Sequence, residues 1–223
     1  DVPGRERLRV VEDRRRGVLE IIHQQSSLLI SMVNELLDLA RIEARQGKDM
    51  QREQHALGML IERTVDSLMV QGDDRAVQLD VQHGAQLLLV DADKAVRALT
   101  NVLGNAYKYS PDGGEIRLHT LSGEHDGRPA VGVCVSDQGI GMSDEQAARV
   151  FERFFRADPS GNIPGTGLGM SLVKEIMALH GGGAELHSAP GQGTQVTLWF
   201  PLPDAATARQ APALLQQNEC PAM

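Results

Sequence analysis

The sequence predicts an α+β chain: a two-layer sandwich of a largely antiparallel sheet with helices on one face, preceded by a long helix. Three observations carry this. From residue 57 the hydrophobic periodicity alternates between helix and strand in the order α-β-β-α-β-β-α-α-β-β. Strands next to each other in sequence are joined by short Gly- and Pro-bearing turns, which favours antiparallel pairing. Ahead of them, Val18, Ile22, Leu29, Leu36 and Ile42 belong to one apolar stripe at three- and four-residue spacing.

That stripe covers about seven helical turns, and Gly47 supplies a stop. Ile22, Leu29 and Leu36 are seven apart, the spacing of a bundle seam. A helix of this kind does not bury its stripe unaided, so the sequence asks for a partner helix or, as a plainer alternative, a seat on the globular part. Leu57, Leu60, Ile61, Val65 and Leu68 mark a second helix. Val77, Leu79 and Val81 alternate as a strand, and 87–90 is a short apolar strand. Residues 91–109 form a third helix, with Ala95, Leu99, Val102, Leu103 and Ala106 inward. Pro111, Asp112, Gly113 and Gly114 turn the chain. Strands at 115–121 and 130–136 flank Gly127 as a hairpin, and Ser143 with Gln146 caps a short helix. Residues 157–169 read as a loop, 168–179 as a fourth helix ended by Gly181, Gly182 and Gly183, and 184–188 with 194–200 as a closing hairpin. The Ala-, Gln- and Pro-rich tail from 204 to 223 is expected to be disordered. Domain organisation follows: 1–48 as part of a helical hairpin, 49–203 as the globular domain, then the tail.

Composition narrows the function. Twenty-two Lys and Arg against 30 Asp and Glu give a net charge of -8, which argues against a duplex-binding surface. Aromatics are 3%, too few for a single-strand stacking platform, so no nucleic-acid partner is expected. Two cysteines exclude a four-cysteine zinc site and argue against a disulfide scaffold. No apolar run reaches about 18 residues, so no membrane contact is expected of this chain. The first residues offer neither a start Met nor a signal-peptide core, and read as a piece cut from something longer.

Four clusters carry chemistry. Asn101, Asn105 and Lys108 share one helix face; amide oxygens suit a hard cation and Lys offsets phosphate charge, although taken alone the pattern reads sooner as a solvated face. Two Asn one turn apart inside a helix still need a reason, because Asn is a poor helix former. Asp137-Gln-Gly139-Ile-Gly141-Met142 follows a strand, where a carboxylate accepts hydrogen bonds and glycines admit a ligand; it also reads as an ordinary turn. Gly165-Thr166-Gly167-Leu168-Gly169 opens a helix, a place for anions or merely a linker. It is not a dinucleotide fingerprint, since a loop of roughly a dozen residues precedes the glycines in place of the first strand of a βαβ unit. Phe151, Arg153, Phe154, Phe155 and Arg156 combine ring anchors for a loop with guanidinium groups that can reach phosphate.

In this order and spacing the clusters resemble the ATP-binding catalytic domain of sensor histidine kinases, in the superfamily that includes DNA gyrase, Hsp90 and MutL-type ATPases. The resemblance covers about residues 18–203, and Asn34-Glu-Leu-Leu-Asp-Leu-Ala-Arg-Ile-Glu-Ala44 is similar to the second helix of that family's dimerisation and phosphotransfer hairpin. It implies the Bergerat-type fold, with a mixed sheet, and ATP with Mg²⁺ as cofactors. It implies that Asn105 holds Mg²⁺ with Asn101 in support, that Lys108 meets phosphate and that Tyr109 packs near the adenine. Asp137 would bond the adenine amine, with Gly139, Gly141 and Met142 shaping the pocket and the Thr194 hydroxyl in the same water network. Residues 152–166 would form a lid bringing Arg153, Phe155 and Arg156, closed by Gly165, Thr166, Gly167, Leu168 and Gly169, with Asn105, Lys108 and Arg156 as the catalytic set. Hydrolysing branches carry a Glu one turn before the metal-binding Asn; here Asn101 stands there, and an amide takes no proton from water at neutral pH. Transfer to a histidine is therefore implied over hydrolysis. The family's acceptor histidine, followed by an acid and a Thr-Pro pair, has no counterpart here; His23 is followed by Gln24-Gln25-Ser26. Implied partners are the chain's own hairpin in a homodimer and a response-regulator receiver domain, in the cytoplasm, with or without an inner-membrane anchor elsewhere in the parent. A serine-kinase anti-sigma-type module of the same fold and a degenerate regulatory kinase stay as alternatives.

Overall fold

The computed structural model describes residues 2–45, 47–69, 75–110, 113–158, 163 and 165–203, with the side chains of 2–14, 20, 21, 24 and 69 outside that description. The expected turn at Pro111 and Asp112, part of the loop at 157–169 and the tail beyond 203 lie outside the described residues.

Among the described residues seven strands and five helices follow one another as α1 (Val2–Arg45), β1 (Glu53–Ala56), α2 (Leu57–Met69), β2 (Gln78–Asp80), β3 (Leu87–Val90), α3 (Ala92–Lys108), β4 (Arg117–His125), β5 (Arg128–Ser136), α4 (Asp144–Arg149), α5 (Gly169–Leu179), β6 (Gly183–Ser188) and β7 (Thr194–Pro201). The main sheet has the order β2-β4-β5-β7-β6, and β1 pairs with β3 in a separate two-stranded sheet. All pairs are antiparallel except β2 with β4, so the main sheet is mixed. Short-turn neighbours pair as expected in β4–β5 and β6–β7. They do not in β2 and β3, which join different sheets, and β1 is an element the periodicity did not announce.

Local chemistry explains the boundaries. Asp91 caps α3, accepting from Lys94 N at 3.1 Å, and also holds Gln51 N at 3.2 Å and Lys94 Nζ at 2.8 Å. Burial pushes its carboxyl up, but the Lys94 and Gln51 bonds outweigh that and hold it below the usual carboxylate range. Ser143 and Gln146 form a complete capping box on α4. Between β4 and β5, Asp126 and Gly127 both have positive φ, the backbone of a two-residue hairpin turn that follows the strand twist.

The core lies between the main sheet and helices α2, α3 and α5. Rows of paired residues, Leu118–Val135–Val196 and Thr120–Val133–Leu198, face the helices from three neighbouring strands. Against them sit Ala95, Leu99, Val102 and Leu103 of α3 with Leu172, Val173 and Ile176 of α5. Burying each Leu here contributes roughly 1.5–3 kcal/mol.

Helix α1 begins earlier than its stripe, at Val2, and divides its apolar residues. Leu39 and Ile42 are buried in the core cluster, and the helix contacts α5. Leu29 and Ile30, 61% and 63% exposed, stand out with Val18, Ile22, Val33 and Leu36. The last turns thus sit on the globular part, while the earlier turns leave their stripe uncovered among the described residues.

His180 closes α5 as a buried neutral imidazole. Asp91 N donates to its Nε2 at 3.1 Å, and its Nδ1 lies 2.8 Å from Ile176 O, which fixes the proton on Nδ1. Burial lowers its pKa; the Ile176 carbonyl and Asp91 oppose this, and Arg52 and Lys94 reinforce it. A folded-state pKa below the ordinary 6.5 means that the unfolded chain binds more protons. The stability this residue contributes is present above about pH 6.5 and is lost as pH falls through the folded-state value. The thermal midpoint of the wild type should fall between pH 7 and pH 5 more steeply than that of His180→Gln. Parallel slopes in a melting series would show that His180 does not titrate on unfolding.

Candidate functional site

A cavity of about 320 Å³ opens between α3, the ends of β5 and β7, the loop before α5 and the face of α1. One wall is the polar face of α3. Asn101, Asn105 and Lys108 all line it, as their four- and three-residue spacing requires. Asn101 Nδ2 donates to Arg97 O at 3.1 Å, and its Oδ1 faces Gly169, where an added Cβ would come within 3.0 Å. The Asn105 carboxamide has no hydrogen bond to the described residues and is half-buried. Lys108 Nζ donates to the Tyr109 hydroxyl at 3.1 Å and lies 4.5 Å above the Tyr109 ring centre. No carboxylate among the described residues pairs with it. The Tyr109 ring therefore lines the cavity as a support for the ammonium.

The opposite end is built by the strand ends. Asp137 Oδ1 accepts from Gly139 N at 2.8 Å and Thr194 N at 3.2 Å, while Asp137 N donates to Thr194 O at 2.9 Å. Burial pushes the Asp137 carboxyl above its usual range, and the two amides with the Ser110 hydroxyl only partly offset this. Two glycines in the following loop are dictated by space. A Cβ at Gly139 would lie 2.1 Å from Tyr109 O, and one at Gly141, where φ is +63°, would lie 1.9 Å from Ala189 O. Gly141, Met142 and Thr194 line the cavity; Gly139 stands behind its wall. Apolar surface completes this end, from Val135, Ile140, Leu186 and Val196. Val135, Leu186 and Val196 stand on β5, β6 and β7, and Ile140 on the loop after β5.

Behind Thr194 lies a small polar network. Met142 N donates to Ser188 Oγ at 2.9 Å, Ser188 Oγ donates to Gly193 O at 2.9 Å, and the Ser188 and Thr194 hydroxyls are 2.9 Å apart. Gly191 N donates to Ile140 O at 2.8 Å, so the β6–β7 turn grips the loop that carries Asp137.

At the third side, Gly165, Thr166, Gly167 and Gly169 line the cavity, and α5 starts with no side-chain cap on its first-turn amides. Leu168, between them, turns into the core and is buried. Helix α1 also contributes: Leu28, Ser31 and Glu35 line the cavity. Ser31 Oγ donates to Glu35 Oε1 at 2.7 Å, and the Thr166 hydroxyl donates to Glu35 Oε2 at 2.5 Å. Sequence reading missed these three. The available signal was the Ser31–Glu35 pair, one helical turn apart and polar within an apolar stripe.

The aromatic cluster divides. Phe155 lines the cavity beneath the Arg149 guanidinium, 4.7 Å from its ring centre. Arg153 and Arg156, expected at phosphate, do not face the cavity. Arg153 is drawn to Glu43 of α1 as an ion pair. Arg156 Nη2 donates to Ile163 O at 2.5 Å, and its Nε is buried without a partner among the described residues.

Residues 90–204 match the family described as histidine kinase-, DNA gyrase B- and HSP90-like ATPase, and the chain belongs to that family. Among curated relatives it is 34% identical over 200 residues to drug sensory protein A of Synechocystis, covering 86% of this chain and 30% of that protein. It is 33% identical over 207 residues to the phosphate regulon sensor protein PhoR of Pseudomonas aeruginosa, covering 91% of this chain and 45% of that protein. The chain thus spans less than half the length of the curated relatives it matches. Of solved structures, the mycobacterial sensor histidine kinase MprB superposes with a TM-score of 0.58 at 28% identity, over 68% of this chain and 97% of that one. Full-length ShkA in complex with AMPPNP gives 0.64 at 26%, over 78% and 36%. The fold is the ATP-binding catalytic domain found in sensor histidine kinases, and ATP binding goes with it.

No helix among the described residues is long and apolar enough to cross a membrane.

Proposed function

We propose that this chain supplies the catalytic half of a two-component sensor histidine kinase, moving the γ-phosphoryl group of ATP to a histidine imidazole on a helix outside this sequence. The observation that carries the reading is the convergence of Asn105, Lys108, Asp137 and the glycine loop on one cavity. Asp137 and Thr194 take the adenine end, between apolar walls. Lys108, with no competing carboxylate among the described residues, neutralises phosphate, and the uncapped first turn of α5 gives the phosphates backbone donors.

The donor set fits Mg²⁺. Asn105 offers an uncommitted amide oxygen, a hard ligand, with Asn101 beside it. Among the described residues no group of three His, Cys, Asp or Glu can hold a metal, so the cation would take its other ligands from phosphate oxygens and water. Bound there, Mg²⁺ would neutralise charge on the transferring group. The chain's own residues position the nucleotide; Asn101 cannot act as a base for water, which favours an external nucleophile.

The division into a hairpin helix at 1–48 and a catalytic domain at 49–203 belongs to the same reading. Exposed Ile22, Leu29 and Leu36 on α1 support a partner helix there, in a homodimer, with a receiver domain as the final acceptor and the cytoplasm as the site of action. The long helix disfavours the anti-sigma-type module, which needs no hairpin.

The test is radiolabelled ATP with this chain and a separate intact hairpin protein. Acid-labile, base-stable label on the hairpin is expected. Label on serine of a partner would favour the anti-sigma-type module, and free phosphate alone would favour a hydrolase.

A further inference from the structure

We infer that Ser188, which does not touch the cavity, sets the base preference of the site by fixing the direction of the Thr194 hydroxyl; the inference rests on the adenine-nucleotide reading above. A serine hydroxyl has one proton to give and two lone pairs to fill. Ser188 Oγ has three neighbours at 2.9 Å: Met142 N, Gly193 O and Thr194 Oγ1. The Met142 amide donates only, so it takes one lone pair. The Gly193 carbonyl accepts only. Gly193 is buried, and among the described residues no backbone N–H outside the strand ladders reaches its oxygen, so the Ser188 proton goes there. The 2.9 Å contact between the two hydroxyls needs one proton, and with that of Ser188 committed Thr194 donates it, so the Thr194 proton points away from the cavity.

Thr194 lines the cavity, and with its proton committed it presents lone pairs only. Asp137, ionised, also presents lone pairs only. The polar groups at the base end are thus both acceptors. Such an end favours a purine edge that donates, as the adenine amine does directly or through water. It disfavours the carbonyl oxygen that hypoxanthine and guanine carry in the same position, because a site that leaves acceptors facing an acceptor forfeits its hydrogen bonds. Ser188 is a positioning residue: without it, Thr194 is free to turn its proton inward and donate to that carbonyl.

Calorimetry on the whole chain with ATP and ITP tests this; the two differ at that substituent and at the adjoining N1, an acceptor in ATP and a donor in ITP. Wild type should prefer ATP. In Ser188→Ala, the preference should shrink by about tenfold, on the scale of one hydrogen bond in a discriminating pocket, and ITP should bind more tightly than it does to wild type. Damage to the loop cannot produce that gain. Thr194→Val supplies the second control: in that background Ser188→Ala should leave the ATP-to-ITP ratio unchanged. Equal losses for both nucleotides in Ser188→Ala, or an undiminished effect in the Thr194→Val background, would overturn the inference while leaving the ATP site standing. A wild type that binds neither nucleotide would overturn the functional reading and this inference together.

Discussion

Asn105→Ala should cut affinity for Mg-ATP on the order of 100-fold, the upper range for one contact to a charged group, and leave the fold intact. The stability half of this follows from what the side chain lacks. Asn105 makes no hydrogen bond to the described residues, so truncation orphans no partner, and Ala is the better helix former at an interior position of α3 by roughly 0.7 kcal/mol. The thermal midpoint should hold or rise slightly. The affinity half follows from position: it is the uncommitted amide on the α3 wall, with the cationic Lys108 nearly one turn further along. If its oxygen holds the cation, the loss should be large with Mg²⁺ and much smaller in EDTA, where neither protein has a metal to hold. Calorimetry under both conditions separates the cases. An equal loss in each would mean that Asn105 acts on the nucleotide directly or on the shape of the pocket.

Much of this architecture was legible because local periodicity and burial agree. The α3 stripe, the β4–β5 hairpin and the Ser143 capping box are set within a few residues of chain, and the structure has them where the sequence puts them. The pairing of β2 was not legible: three residues, Gln78–Asp80, run parallel to β4, and parallel neighbours are joined only through a long crossover that leaves no local mark. β1 was missed for a related reason. Glu53–Ala56 lacks apolar alternation and is held by its partner β3. The same split governs the site. Asn101, Asn105 and Lys108 were readable from helix spacing, and Asp137 from its place at a strand end. Glu35, Ser31 and Leu28 reach the cavity only because α1 docks through Leu39 and Ile42, together with the Asp38–Arg97 and Glu43–Arg153 ion pairs. That docking is a tertiary event, and it is also what turns Arg153 from phosphate ligand to surface partner.

Asp137→Asn should weaken ATP binding by roughly 1–3 kcal/mol, about 5- to 150-fold, without destabilising the protein at neutral pH. The two backbone amides that bond this side chain, Gly139 N and Thr194 N, both end on Oδ1. An Asn whose carbonyl oxygen takes that place keeps them and turns an NH₂ toward the cavity, where a purine amine would meet a donor instead of an acceptor. The charge that disappears is one the fold disfavours, since burial raises the Asp137 pKa. The sign follows: with the folded-state value above the unfolded one, the native chain binds the extra proton, and stability falls as pH rises through the folded-state pKa. The variant escapes that loss. Its melting temperature relative to wild type should therefore be highest at neutral pH, and the advantage should vanish below the ordinary aspartate pKa of about 3.9. Affinity and stability moving in opposite directions is what a carboxylate kept for a ligand predicts. A variant that melts earlier at pH 7 and binds ATP as tightly as wild type would make Asp137 a structural turn residue, with adenine recognition lodged elsewhere in the cavity.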